Sequence, residues 1–197
     1  MTTIGILLAG GASRRYGSPK AFAQFEGRVF YEIAYELLQA VCDEVMIVSR
    51  SELLERFPQH LQVIMDDEEV LGEGPLAGIY SAMKNKTAER YVVLPCDMPY
   101  LTPSILPKLM ASEQATMVRA IREQNRTHPL VSVWKRATFE PLFTYLQEGN
   151  RRVQPFMEAV GCEWVAAELV VEQSTEELQN MNEPVAKQQE DFGGKKG

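Results

Sequence analysis

Apolar residues change their period several times along the chain, and each change predicts an element. Thr3 to Leu8 is an apolar run that stops at Ala9-Gly10-Gly11, which suits a buried strand. Phe30, Ile33, Ala34, Leu37, Leu38 and Val41 then recur at helical spacing and predict an amphipathic helix over 29–41. Short β-type runs follow at Glu44–Val48 and Leu61–Met65. Between them Ser51 is placed to cap a helix through Phe57, which Pro58 closes. Pro75 opens a further helix that runs to Asn85. Tyr91-Val92-Val93-Leu94, inside Arg90–Pro95, has no polar interruption and suits a central parallel strand covered on both faces. Thr102-Pro103 reads as the N-cap and first turn of another helix. Strands near Ala115–Ala120 and Leu130–Trp134 and helices near Ala137–Gln147 and Arg151–Val160 complete the body.

Strand and helix alternate over residues 1–112, which predicts an α/β fold: a single Rossmann-like three-layer domain with a mostly parallel central sheet. The domain is expected to span residues 1–185. Residues 186–197, polar and charged, read as a flexible tail. Ligands of such sheets bind at the carboxyl ends of the strands, so Gly10, Asp66 and Asp97 are expected on one rim.

Composition narrows the function classes. A formal net charge of -7 argues against nucleic-acid binding, which rewards a basic surface. The three cysteines, Cys42, Cys96 and Cys162, form no C-x-x-C pair and speak against structural zinc or a disulfide framework. The opening apolar run is too short to span a membrane and no basic segment precedes it, so a cytoplasmic protein with no membrane partner is expected.

The chemistry-bearing segments lie in loops. Leu8-Ala9-Gly10-Gly11-Ala12-Ser13-Arg14-Arg15-Tyr16-Gly17-Ser18-Pro19-Lys20 places glycines, a serine and cations after the first strand. Glycine allows close backbone approach, successive N–H groups can form an anion nest, and Arg15 and Lys20 bring charge suited to a polyphosphate. The glycine spacing matches neither the dinucleotide fingerprint nor the P-loop, and Pro19 breaks any helix there. Alone, the segment reads equally as a polar connection. Asp97, in Leu94-Pro95-Cys96-Asp97-Met98-Pro99, ends a buried strand and suits magnesium, which takes one or two carboxylates plus phosphates; a turn aspartate is the other reading. Asp66-Asp67-Glu68-Glu69 is either a solvated acidic loop or the source of one carboxylate for the donor edge of a guanine. The small residues of Gly74-Pro75-Leu76-Ala77-Gly78 would let a base lie close to the backbone.

Taken together these motifs are specific. L-A-G-G-x-S-x-R-x-G-x-x-K at 8–20, G-P-L-A-G at 74–78, P-C-D-x-P at 95–99 and Asn180-Met181-Asn182-Glu183-Pro184 occur in that order. The set resembles the molybdenum cofactor guanylyltransferase (MobA) family, within the wider nucleotidyltransferase superfamily of the nucleotide-diphospho-sugar transferase type. The resemblance implies transfer of GMP from Mg-GTP to molybdenum-bound molybdopterin, with release of pyrophosphate and possible dealings with other cofactor-assembly proteins.

Carried onto this chain, the resemblance implies that Leu8, Ala9, Gly10 and Gly11 contact GTP through the loop, joined by Lys20, Asp66, Gly78 and Asp97. Asp97 would hold the metal, and Arg15, Lys20 and Asp97 would carry catalysis. Ser49 stands near a position that is often asparagine, and Tyr16 replaces a usual methionine. The spacing to Gly74 leaves Asp66 and Asp67 both open. Residues 1–112 would form the nucleotide-binding half and 113–185 the acceptor-binding half. Arg122, Arg126, His128, Arg151, Arg152, Asn180 and Asn182 are the polar candidates there, with the two asparagines foremost because alternate residues of an extended segment face the same way. Trp134 and Trp164 read as core. Two alternatives stay open: a related nucleotidyltransferase using CTP or another acceptor phosphate, and a non-catalytic GTP-binding adaptor.

Overall fold

A computed structural model of the chain describes residues 1–11, 17–111, 116–172 and 175–182. In chain order the elements are β1 (Thr3–Leu8), β2 (Gln24–Phe25), β3 (Arg28–Val29), α1 (Phe30–Gln39), β4 (Glu44–Val48), β5 (Gln62–Ile64), α2 (Pro75–Asn85), β6 (Arg90–Pro95), α3 (Ile105–Met110), β7 (Val118–Glu123), β8 (Arg126–Lys135), α4 (Phe139–Gln147), α5 (Val153–Val160) and β9 (Cys162–Ala166). Among the described residues the main sheet has seven strands in the order β5-β4-β1-β6-β8-β7-β9. β5, β4, β1 and β6 are mutually parallel, β8 runs antiparallel to its neighbours, and β9 pairs parallel with β7.

The three layers follow from period-two alternation in strands that are apolar on both sides. Leu7, Val45, Ile47, Val92 and Leu94 face a core that includes Ala34, Leu37 and Leu38 of α1 and Ile105, Leu106 and Leu109 of α3. Ile4, Ile6, Met46, Val48, Tyr91 and Val93 face the opposite core, with Leu76, Ile79 and Met83 of α2, Leu142 of α4 and Phe156 of α5. Gly5 sets how closely α1 approaches. A Cβ there would lie 3.0 Å from Leu38 Cβ and 3.2 Å from Val45 Cγ2, inside normal packing distance.

The α/β class, the mostly parallel sheet and the early elements agree with the sequence pattern. Four details differ. Ser51–Arg56 is a 3₁₀ segment rather than an α-helix, and the Ser51 hydroxyl turns to Glu52 instead of capping it. The helix expected to open at Thr102-Pro103 starts at Ile105, with no side-chain cap, and the Thr102 hydroxyl donates to Glu177 Oε2 at 2.6 Å. β7 and β8 lie or extend beyond the expected positions: they pair across a tight turn, Glu123 opposite Arg126, and absorb an irregularity between Ala120 and Ile121 that admits Pro129. The hairpin β2–β3 and the strand β9 add to the expected elements. Glu26 and Gly27 turn the hairpin with φ of 50° and 79°, the geometry that a two-residue hairpin loop requires.

The expected tail, 186–197, lies outside the described residues.

Candidate active site

The rim at the carboxyl ends of the parallel strands is assembled by hydrogen bonds that continue the sheet past its last residues. The Ala9 N–H donates to Val48 O at 2.9 Å, the Ser49 N–H to Ile64 O at 2.9 Å, and the Cys96 N–H to Leu8 O at 3.1 Å. The loops after β1, β4, β5 and β6 therefore leave the sheet side by side. Ser49, buried, returns its hydroxyl to Ala9 O at 3.3 Å and ties the glycine loop to the end of β4. Ala9 is buried, Leu8 and Gly10 are partly buried and Gly11 is exposed. This gradient leads from core to solvent along the loop. Arg15 and Tyr16 lie outside the described residues.

Lys20 is brought back to this rim by apolar anchoring of the residues behind it. It opens a single 3₁₀ turn, Lys20–Phe22, in which Ala21 is buried and the Phe22 ring packs 4.8 Å from the Phe57 ring and 5.6 Å from the Tyr31 ring. With its backbone held, the lysine reaches across to Asp97, and its Nζ lies 2.9 Å from Asp97 Oδ2 although 77 positions separate the two. Both side chains are largely shielded, at 15% and 19% exposure, so the pair is screened less than a surface ion pair. Lys20 Nζ also donates to Asn182 Oδ1 at 2.8 Å, and Asn180 Nδ2 donates to Asp97 Oδ1 at 3.2 Å. The two asparagines thus stand on the Lys20–Asp97 pair itself.

The acidic loop separates into two roles. Asp67 pairs with Lys84 at 2.9 Å and accepts the Glu69 N–H at 3.1 Å; the Lys84 ammonium holds its carboxyl below the usual carboxylate range. Asp66 turns the other way. It accepts the Gly72 N–H at 3.2 Å, and burial pushes its carboxyl above the ordinary value against the opposing effect of that bond. Gly78 is buried in α2, where a Cβ would stand 2.9 Å from Leu8 Cδ2 and 3.7 Å from Asp66 Oδ1. Its missing side chain lets α2 pack against the end of β1 beside Asp66.

The cations of the second half do not gather there. Arg122 lies over the Trp164 ring at 5.2 Å, Arg151 pairs with Glu73, and Arg126 is exposed. The Arg152 carbonyl accepts the Tyr145 hydroxyl at 3.2 Å. His128 is buried with its Nε2 3.5 Å from Glu123 Oε2, and burial lowers its pKa. Trp134 is core, donating to Ser132 Oγ at 2.7 Å. Glu177, buried beneath the Asn180 segment and bound to Thr102, is a supporting residue that the linear pattern does not reveal.

A divalent ion fits this donor set in one manner. Among the described residues no cluster of three or more histidine, cysteine, aspartate or glutamate side chains could cage a metal. A single carboxylate such as Asp97 is suited instead to magnesium carried on phosphates. The three cysteines are free thiols, and burial pushes each of them up to about 12, which disfavours the thiolate near neutrality. No helix among the described residues is long and apolar enough to cross a membrane.

A family model described as a MobA-like NTP transferase domain matches residues 5–162. The chain belongs to this family. It is a nucleotidyltransferase by that membership, of a class that generally works with a divalent metal. Among curated relatives, a probable molybdenum cofactor guanylyltransferase of Geobacillus sp. (strain WCH70) is 46% identical over 154 residues, covering 76% of this chain and 78% of the relative. One from Bacillus subtilis (strain 168) is 35% identical over 173 residues, covering 85% and 84%. The fold is shared with the crystal structure of molybdopterin-guanine dinucleotide biosynthesis protein A from Archaeoglobus fulgidus, with a TM-score of 0.79 at 21% identity over 98% of this chain and 100% of that one.

Proposed function

We propose that this MobA-like transferase moves GMP from Mg-GTP to the terminal phosphate of molybdenum-bound molybdopterin, forming the guanine dinucleotide cofactor and releasing pyrophosphate. The observation that carries the reading is the 2.9 Å approach of Lys20 to Asp97 on the rim where the glycine loop leaves β1. A cation suited to phosphate and a carboxylate suited to its metal meet beside the loop that leaves β1. The printed names of the curated relatives supply the substrates.

In this reading the backbone of Gly10 and Gly11, with no side chain in the way, lies against the nucleotide phosphates. Lys20 and Arg15 offset the charge of the departing pyrophosphate. The acceptor's terminal phosphate oxygen attacks the α-phosphorus, and the α–β bridging oxygen leaves with the pyrophosphate. A phosphate monoester is already anionic, so positioning and charge stabilisation carry the step and no side chain has to remove a proton. Asp97 would hold the magnesium, which when bound supplies positive charge to the phosphate oxygens. Asp66, aimed into the rim beside Leu8, accepts the N1–H and amino donors of guanine, a pattern no other common base presents on one edge. Residues 1–112 serve the nucleotide and 113–185 the acceptor, in the cytoplasm.

Purified chain, Mg²⁺, labelled GTP and molybdopterin, followed by detection of the guanine dinucleotide and pyrophosphate, tests the proposal. Parallel reactions with CTP, ATP and UTP measure base choice. Product from CTP in preference to GTP assigns the chain to another member of the superfamily, and GTP binding without pyrophosphate release makes it an adaptor.

A further inference from the structure

The family match ends at residue 162, yet the chain returns to the site after that point. Ala167, Val170, Leu178 and Met181 are buried to 1% exposure or less, and the first three join the core on the α1–α3 face. Glu177 anchors the segment, accepting Thr102 Oγ1 at 2.6 Å on one oxygen and the Glu172 N–H at 3.1 Å on the other. The Met181 N–H then donates to the Asp97 carbonyl at 2.8 Å. The main chain of this terminal strap is thus fastened to the backbone of the rim carboxylate.

Its side chains complete the fastening. Met181 turns into the core, so the residues on either side of it turn outward together. Asn180 presents its amide nitrogen to Asp97 Oδ1 at 3.2 Å, and Asn182 presents its amide oxygen to Lys20 Nζ at 2.8 Å. Each asparagine offers the half of its amide that suits the charge it meets. A neutral amide orients a charged group without cancelling its charge, whereas a charged residue in either place would do both. Each carboxylate oxygen has two lone pairs, so the Asn180 bond leaves Asp97 able to bind metal.

We propose that Asn180 and Asn182 are positioning residues, Asn180 setting the Asp97 carboxylate for the metal of the metal–nucleotide complex and Asn182 setting the Lys20 ammonium beside it. The inference rests on the function proposed above. It takes the strap out of the 113–185 acceptor half given above and assigns it to the nucleotide side of the reaction.

The test measures Mn²⁺ uptake at saturating GTP by the loss of the free-ion electron paramagnetic resonance signal, alongside the Mg²⁺ half-saturation of transfer and the acceptor KM. Asn180→Ala is expected to weaken Mn²⁺ uptake and raise the Mg²⁺ requirement by about tenfold or more, the usual scale for losing a partner that orients a metal ligand. Its acceptor KM and melting temperature stay near wild type. Asn180→Asp removes the donor and adds a like charge, and should be worse than alanine. Asn182→Ala should raise the GTP KM and leave Mn²⁺ uptake nearly unchanged. Wild-type Mn²⁺ affinity in a folded Asn180→Ala, together with a raised acceptor KM, would overturn the proposal and make the strap an acceptor contact. If wild type itself shows no Asp97-dependent Mn²⁺ uptake with GTP, the transferase reading falls and the strap with it; uptake that Asn180→Ala leaves intact removes the strap alone.

Discussion

The two halves of the sheet place polar residues by different rules. In the first, β5, β4, β1 and β6 run parallel, so the loops that leave their carboxyl ends open onto one rim, and Lys20, Asp66 and Asp97 gather there from distant parts of the sequence. In the second, β8 runs against its neighbours, and the β7–β8 turn joins the two strands directly. Arg122 and Arg119 are taken up within that half, by Trp164 and by Glu163 at 2.9 Å, while Arg151 crosses to Glu73 in the loop after β5. The lesson is that strand direction, more than the number of charged residues, decides where a site can form.

Five substitutions break or sharpen this contrast. The largest effect is expected from Asp97→Ala, at least about a hundredfold loss of turnover followed by pyrophosphate release, the scale for removing one preorganised electrostatic group. Near-normal turnover would take the parallel rim out of the chemistry. Lys20→Met comes next. Losing a charge-assisted hydrogen bond of about 1.5–3 kcal/mol predicts a fall of about ten- to a hundredfold in kcat/KM for GTP.

Asp66→Asn follows, with about a tenfold loss in kcat/KM for GTP and a narrowed preference over ATP, since the amide can accept only one of the two guanine donors. Stability should move the other way. Burial raises the Asp66 pKa in the folded chain, so its contribution is present at low pH and is lost as pH rises through that folded value. At neutral pH the ionised carboxylate therefore opposes folding, and Asp66→Asn should melt no lower than wild type. Asp67 has the opposite sign. Its pKa is lowered by Lys84, so its contribution is present above the unfolded value and is lost as pH falls through the folded one. Asp67→Asn should melt slightly lower at neutral pH and keep GTP kinetics within about twofold, because its ion pair is largely solvent-screened. Equal kinetic losses for the two variants would refute the separation of their roles.

The smallest effect belongs to the second half. Arg122→Ala forfeits a contact with Trp164 of about 0.5–1 kcal/mol and should leave GTP kinetics within about twofold. A tenfold rise in GTP KM would mean that the nucleotide reaches across the antiparallel strands.

Legibility in the sequence followed the same division. The strands with uninterrupted apolar runs, Thr3–Leu8 and Arg90–Pro95, stood where their composition predicted, because burial on both faces leaves few other readings. Glu26-Gly27 is not one of the usual hairpin pairs, and the strands that flank it are too short to show a period. β9 was harder: its residues Cys162–Ala166 mix polar and apolar side chains, and among the described residues β7 is its one neighbour in the sheet. The bond from Thr102 to Glu177 spans 75 positions, and no local pattern around Thr102 contains it.

Asp66 and Asp67 were inseparable in one dimension; the position of Lys84 on α2 drew one of them outward, and Gly78 left room for the other at the rim.

What the sequence determined by itself was the alternation of strand and helix, the two-sided burial of the early strands, and the presence of a glycine loop, a lysine and a strand-end aspartate of the kinds that phosphate and metal chemistry uses. Hydrophobic period and residue chemistry are local properties, so they survive being read along a line. Tertiary structure alone decided that Lys20 meets Asp97, that Asn180 and Asn182 brace that pair from the far end of the chain, and that the cations of the second half are spent on neighbours. Those outcomes depend on strand order and direction, which packing sets and which no short window of residues contains.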